Sequence, residues 1–310
     1  MVGLLVALGG LALFGFGVLT VMGMLLPDID DEPTVRPSPP VVSVPPAEEP
    51  DPDPPVMQPP GEEPDADPRP PGWDLPEREW PEIPPANSSD PNWVVVQTSV
   101  LYSAQFPAHT GCPPPRYAFE YAEMQDYVTQ QMACIQRAWK DVQRELGFST
   151  QDIPVHFYSG DGVSSACGYV EAPAFYCSAD GGAIYFGQGT LDWGTFQLFG
   201  MKDMAAHEYG HHLQAQAGFF EAMYYLGNDD EIIRRSELQA TCFGQGMIGR
   251  DDSFVMDEEY YDELELKHEQ VVDDGTHGSN KANDFWGFRG LYATSLSECN
   301  TWTSPSKDVK

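Results

Sequence analysis

The stretch MAAHEYGHHLQAQAG, residues 204–218, holds three of the chain's seven histidines within six positions. His207 and His211 are four residues apart, so on a helix their imidazoles project from one face and can bind a single metal ion together. Glu208 stands to one side of that pair. From there a carboxylate can accept a proton from an attacking water and later pass it to a leaving amine, without being a ligand itself. HEYGH is therefore a complete H-E-x-x-H pattern, whose usual ion is zinc.

Zinc in a hydrolytic site takes three protein ligands and keeps one position open, so a third ligand is needed. The extended pattern H-E-x-x-H-x-x-G-x-x-H does not supply it, because Gln214 and Ala217 occupy its Gly and last His positions. Downstream, RRSELQATCFGQG places Glu237 on one helical face with Ala240, Thr241 and Gly244. Those small residues would let a second helix approach the Gly210 side of the motif helix, bringing a short carboxylate to the metal. The alternative for Glu237 is an ordinary ion pair with Arg234, three residues earlier. His212 points away from the His207 face and reads as a buried histidine of the core.

The elements that must carry these residues can be placed coarsely. FEYAEMQDYVTQQMACIQRAWKDVQRELG steps its apolar residues Met124, Tyr127, Val128, Ile135, Ala138, Trp139, Val142 and Leu146 by three and four, with Gly147 as terminator. The motif helix is predicted over Lys202 to Ala217, stopping at Gly218. A second should start near Asn228 and end at Gly249, with two more near 257–272 and 280–293. IPVHFYS and AIYFG read as short strands, separated by the loop SSACGYVEAPAFYCSAD. AIYFG is the expected strand beside the cleft, its edge open to an extended peptide. The fold class is α+β, mainly helical with a small sheet.

Composition sets the surroundings. Val2 to Leu26 is an uncharged run of twenty-five residues, long enough to cross about 30 Å of hydrocarbon as a helix. It reads as a transmembrane anchor (1–26); a cleaved signal peptide is the rival, though no small-x-small cleavage site follows it. Residues 27–91 are acidic and rich in proline, too polar to bury a core, and read as a disordered linker that ends near the sequon at Asn87. The remaining domain, 92–310, carries all six cysteines. An even count beyond a membrane span suggests an oxidising, extracytoplasmic compartment, and order and distance favour Cys112–Cys134, Cys167–Cys177 and Cys242–Cys299. A formal charge of -32 argues against nucleic acid as a partner.

AAHEYGHHLQ followed by SELQATC resembles the neutral zinc metallopeptidase family. The likeness extends over SACGYVEAPAFYCSADGGAIYF and THGSNKANDFWGFRGLYATSLSEC, roughly residues 110–300. The resemblance implies a zincin-like fold and one zinc per chain held by His207, His211 and Glu237, with Glu208 as catalytic base and a peptide or protein as substrate. Zincins of this kind often place a His or Tyr as donor to the developing oxyanion; His277 in DDGTHGSN is the candidate, since Tyr209 lies inside the motif helix. Where the family reads ELQADC, this chain has Thr241. A carboxylate there would orient a ligand histidine, a role commonly worth about 10 to 100-fold in affinity or activity. The expectation is a membrane-anchored zinc peptidase; the alternative is a catalytically weak, zinc-stabilised binding module on the cell envelope.

Overall fold

The computed structural model describes residues 74–75, 78–271 and 273–310. The expected anchor (1–26) and most of the expected linker lie outside them. Among the described residues no helix is long and apolar enough to cross a membrane.

The fold is α+β. Helix α1 (Pro91–Gln97) starts at Asp90, whose carboxylate accepts from the Asn92 and Trp93 amides, with proline at the first helical position. α2 (Tyr121–Glu145) opens on a reciprocal cap between Glu120 and Glu123, and the chain leaves it through Gly147 at φ 76. Its buried stripe runs through Met124, Tyr127, Val128, Ile135 and Trp139 as expected. It then continues at Gln143 rather than Val142, because the Gln143 amide donates to Gln216 Oε1 at 3.1 Å on the neighbouring helix.

Five short strands follow: β1 (Val155–Phe157), β2 (Val163–Ser165), β3 (Gly168–Val170), β4 (Ala174–Cys177) and β5 (Ala183–Phe186). β1 pairs parallel with β5 and β4 antiparallel with it, giving the order β1-β5-β4, while β2 and β3 form a separate hairpin. Two expectations are corrected here. The segment read as a loop contains three strands, its valines and aromatic residues favouring extended pairing, and Gly168 at φ 93 turns the hairpin. AIYFG is β5, the central strand with both edges paired; the open edge facing the motif helix belongs to β4.

Helix α3 (Gln188–Phe196) leads to the motif helix α4 (Gly200–Gln216). From Gly200 to Gln214 every residue of α4 is buried except Met204 and His207. α4 packs on α2, α3, β4, α5 (Phe219–Leu226) and α6 (Asp230–Ile248), and of its two metal-donor candidates only His207 is partly open to solvent. Gly218 at φ 78 ends α4 and starts α5 in the same turn. α6 begins on Asp229, whose side chain accepts from the Ile232 amide. α7 (Glu258–Glu269) and α8 (Asn280–Tyr292) complete the domain.

The α4–α6 crossing depends on missing side chains. A Cβ on Gly210 would lie 3.1 Å from the Ala240 backbone, and one on Gly244 would lie 3.0 Å from the His207 nitrogen. The two helices therefore touch backbone to backbone, as the small residues around Glu237 predict. At the N-terminal end of α4 the Lys202 ammonium is wholly buried, 2.5 Å from Asp251 and 3.0 Å from Gln131 Oε1, tying α4 to α2 and to the chain after α6.

All three expected disulfides are present. The last joins α6 to the turn after α8 across a sequence separation of 57. The linker expected up to residue 91 lies against the domain over its final part: Pro81 accepts from Arg289 at 2.8 Å, and the Trp80 ring meets Phe285 edge-on at 5.7 Å. Paired aromatic and guanidinium contacts hold these proline-flanked residues where composition alone suggested a free chain.

Candidate metal centre

α4 supplies His207 and His211, and α6 crosses it at Gly210 to supply Glu237. The ligand atoms of these three residues all lie within 4.8 Å of one another. Glu237 Oε2 is 3.3 Å from the Nε2 atom of each imidazole. Bonds of about 2.0–2.1 Å in a tetrahedral array separate two donors by about 3.3 Å, so both spacings fit a small ion such as zinc. Two neutral imidazoles and one buried carboxylate are also a suitable donor set for it. Arg234, the other partner considered for Glu237, instead donates to the carbonyls of Gly275 and Val309.

Each imidazole is oriented through its far nitrogen. His211 Nδ1 is 2.8 Å from Gln214 Oε1, which also accepts from Ser236 Oγ at 3.0 Å; the Gln214 amide nitrogen donates to the Ser236 carbonyl and to Gln239. This network fixes the His211 tautomer so that Nε2 faces the cluster. Among the described residues, His207 Nδ1 has only the Thr241 hydroxyl, at 3.4 Å, and no carboxylate meets the Nδ1 atom of either imidazole. Gln214 entered the sequence reading only as the residue that breaks a longer motif; its spacing of three from His211 was the available signal.

The protons of the metal-free cluster follow from burial and proximity. Burial opposes the charge on His211, but Glu237, and less strongly Glu208, outweigh it and raise its pKa to about 9. Burial lowers His207 to about 4 despite Glu237, and the charge on His211 adds to that fall. Glu237 is also buried, yet the adjoining imidazoles hold it well below the usual carboxylate range. A proton thus sits on His211 in the place a metal would take.

Glu208 is buried beside this cluster. Burial lifts its pKa to about 7, partly offset by His211 and by a hydrogen bond from the Tyr176 amide of β4. Because Gly187 donates to Pro173 across the β4–β5 ladder, the backbone groups of Ala174 and Tyr176 face away from β5, toward α4. A carboxylate titrating near 7 can accept or donate a proton near neutral pH.

His277 stands next to the cluster but outside it, its Nε2 3.8 Å from Glu237 Oε2. Its Nδ1 is held by Asp274 at 2.9 Å, and the other Asp274 oxygen accepts from the amides of Thr276 and His277. Asp274 was missed at the sequence level, although Asp-Gly-Thr-His carries the signature of an Asx turn. His212 is buried against Tyr176, its Nδ1 3.2 Å from that hydroxyl, in the core role expected for it. Tyr209 is buried between α4 and α2, 6.3 Å from the Trp139 ring and turned from the cluster.

Compared with protein-family models, with curated proteins and with solved structures, the chain matches none, so its site is read from geometry and chemistry alone.

Proposed function

We propose that the chain is a zinc-dependent peptidase of zincin-like type, anchored in a membrane by residues 1–26 with residues 92–310 on the extracytoplasmic side. The observation that carries this reading is Glu208: a buried carboxylate with a pKa of about 7 beside three converging metal donors. A site that only stores or senses a metal has no use for such a base. His207, His211 and Glu237 would hold the zinc, with Gln214 and Thr241 orienting the imidazoles. When bound, zinc supplies a Lewis acid that polarises the scissile carbonyl and acidifies water.

The remaining work falls to the chain's own groups. The outward backbone groups of β4 other than the Tyr176 amide, which Glu208 holds, can pair with an extended peptide and lay its carbonyl across the cluster. Glu208 takes a proton from the attacking water and delivers it to the departing amine nitrogen. His277, aligned by Asp274, donates toward the carbonyl oxygen as charge grows there. The resemblance to neutral zinc metallopeptidases noted in the sequence agrees with these roles.

A second reading has one observation in its favour. Thr241 gives His207 an uncharged partner, which suits a zinc-stabilised binding module of low activity. Metal analysis of the purified chain, with digestion of casein and a peptide library in the presence and absence of chelator, separates the two. Chelator-sensitive cleavage that Glu208→Gln abolishes supports the peptidase. A stoichiometric zinc protein that cuts nothing overturns it.

A further inference from the structure

α7 meets the N-terminal end of α4 and the turn before it through two polar anchors one turn apart. Glu263 accepts from the Leu198 and Phe199 amides at 3.0 and 2.6 Å. Lys267 ends 3.5 Å from Asp203 Oδ2. The other Asp203 oxygen is taken by Gln245 at 3.1 Å and by the Tyr260 hydroxyl at 3.4 Å. Both carboxylates are thus committed to groups of the fold, whereas Lys267 has one long ion pair for three N–H groups.

Asp203 is 4% exposed and Lys267 20%, so the lysine is the more open partner of the pair. Asp203, His207 and His211 follow one another at steps of four along α4, on one stripe of the helix. Asp203, the partner of the Lys267 ammonium, therefore stands one turn, roughly 5–6 Å along the helix axis, from His207. His207 is also the one of the three metal donors that is partly open to solvent, at 22%.

Resting on the peptidase reading, we propose that Lys267 is a specificity-determining residue that anchors a substrate carboxylate one or two residues from the scissile bond. An extended peptide advances about 3.3 Å per residue, which matches the offset between the ammonium's partner Asp203 and His207. The acidic chain as a whole repels such a ligand, but that field is screened over about 8 Å at physiological salt, whereas the ammonium acts at contact. The carboxylate can come from a Glu or Asp side chain or from a peptide C-terminus, and the chemistry of recognition is the same.

The test uses the full-length, zinc-loaded Glu208→Gln protein, which holds peptides without turnover, and peptides that differ only as Glu or Gln at one position, each with a free or amidated C-terminus. Binding of a carboxylate-bearing peptide about tenfold tighter than its neutral match is expected, from one charge-assisted contact. Lys267→Gln, which keeps a donor for Asp203, removes the preference and leaves the neutral peptide's affinity unchanged; Lys267→Arg preserves it. Dependence on the side chain or on the free C-terminus identifies the source. Equal affinities, or a preference that survives Lys267→Gln, overturn the proposal. If the protein with Glu208 cleaves no peptide while the Lys267-dependent preference persists in binding, the peptidase reading falls and the carboxylate anchor stands.

Discussion

Zinc loading should expel a proton from His211. In the metal-free cluster this imidazole has a pKa of about 9, so at pH 7 it is almost fully charged, and its Nε2 must lose that proton to bind a metal. One proton exchanged per metal makes the apparent affinity rise tenfold per pH unit below 9. At pH 7 the affinity is then about 100-fold below its alkaline limit, or about 2.7 kcal/mol at 1.36 kcal/mol per unit. Glu208, titrating near 7, releases a further fraction when a cation arrives. Calorimetric titration with zinc in two non-chelating buffers of different ionisation enthalpy measures the count. It should exceed one proton at pH 7 and fall to about one in Glu208→Gln. The same shift has a stability sign. His211 is raised from 6.5 to about 9, so its contribution to the metal-free fold is fully present below 6.5 and lost as pH rises through 9, an amount on the order of 3 kcal/mol. Glu208, raised from 4.5 to about 7, acts in the same direction at lower pH. The buried His207, lowered to about 4, acts in the opposite sense below pH 6.5, so chelated protein should lose thermal stability from pH 7 to 9, and zinc-loaded protein should not. Zero proton release at pH 7, with a pH-independent affinity, would refute the protonation scheme.

Three further outcomes are expected. Glu208→Gln should keep the zinc but lose nearly all peptidase activity, because an amide cannot accept the water proton, and undiminished turnover would remove the base from the mechanism. Thr241→Asp should tighten zinc binding by about 10 to 100-fold by giving His207 Nδ1 a charged acceptor; competition with a zinc indicator measures this, and an unchanged affinity would show that the hydroxyl already suffices. Reduction of Cys242–Cys299 should cost about 4 kcal/mol of stability in the chain-entropy model, for a loop of 57 residues. Activity should decline before zinc is lost, since the bridge ties α6 to the segment that follows His277 and α8, and metal loss that precedes the fall in activity would contradict this.

The sequence by itself determined the parts of the site that are local. His207, Glu208 and His211 are spaced by the pitch of one helix, so their shared face follows as soon as the segment is helical. The small residues around Glu237 announced a close crossing, and the pairing of the cysteines followed from their order. Only the tertiary structure decided what depends on chain elements meeting. That β4 rather than β5 presents its edge to α4 is a matter of strand order, which a stretch of valine and aromatic residues does not encode. Gln214, Ser236 and Asp274 act through side-chain hydrogen bonds to groups brought close by the fold, and residues of those types occur at many turns and helix faces without such a role. The pKa of Glu208 depends on burial by β4, α4 and α6 together. The helix pitch is a property of the backbone and repeats every few residues; the environment of a buried charge is set by every element packed around it, and exists only once they are assembled.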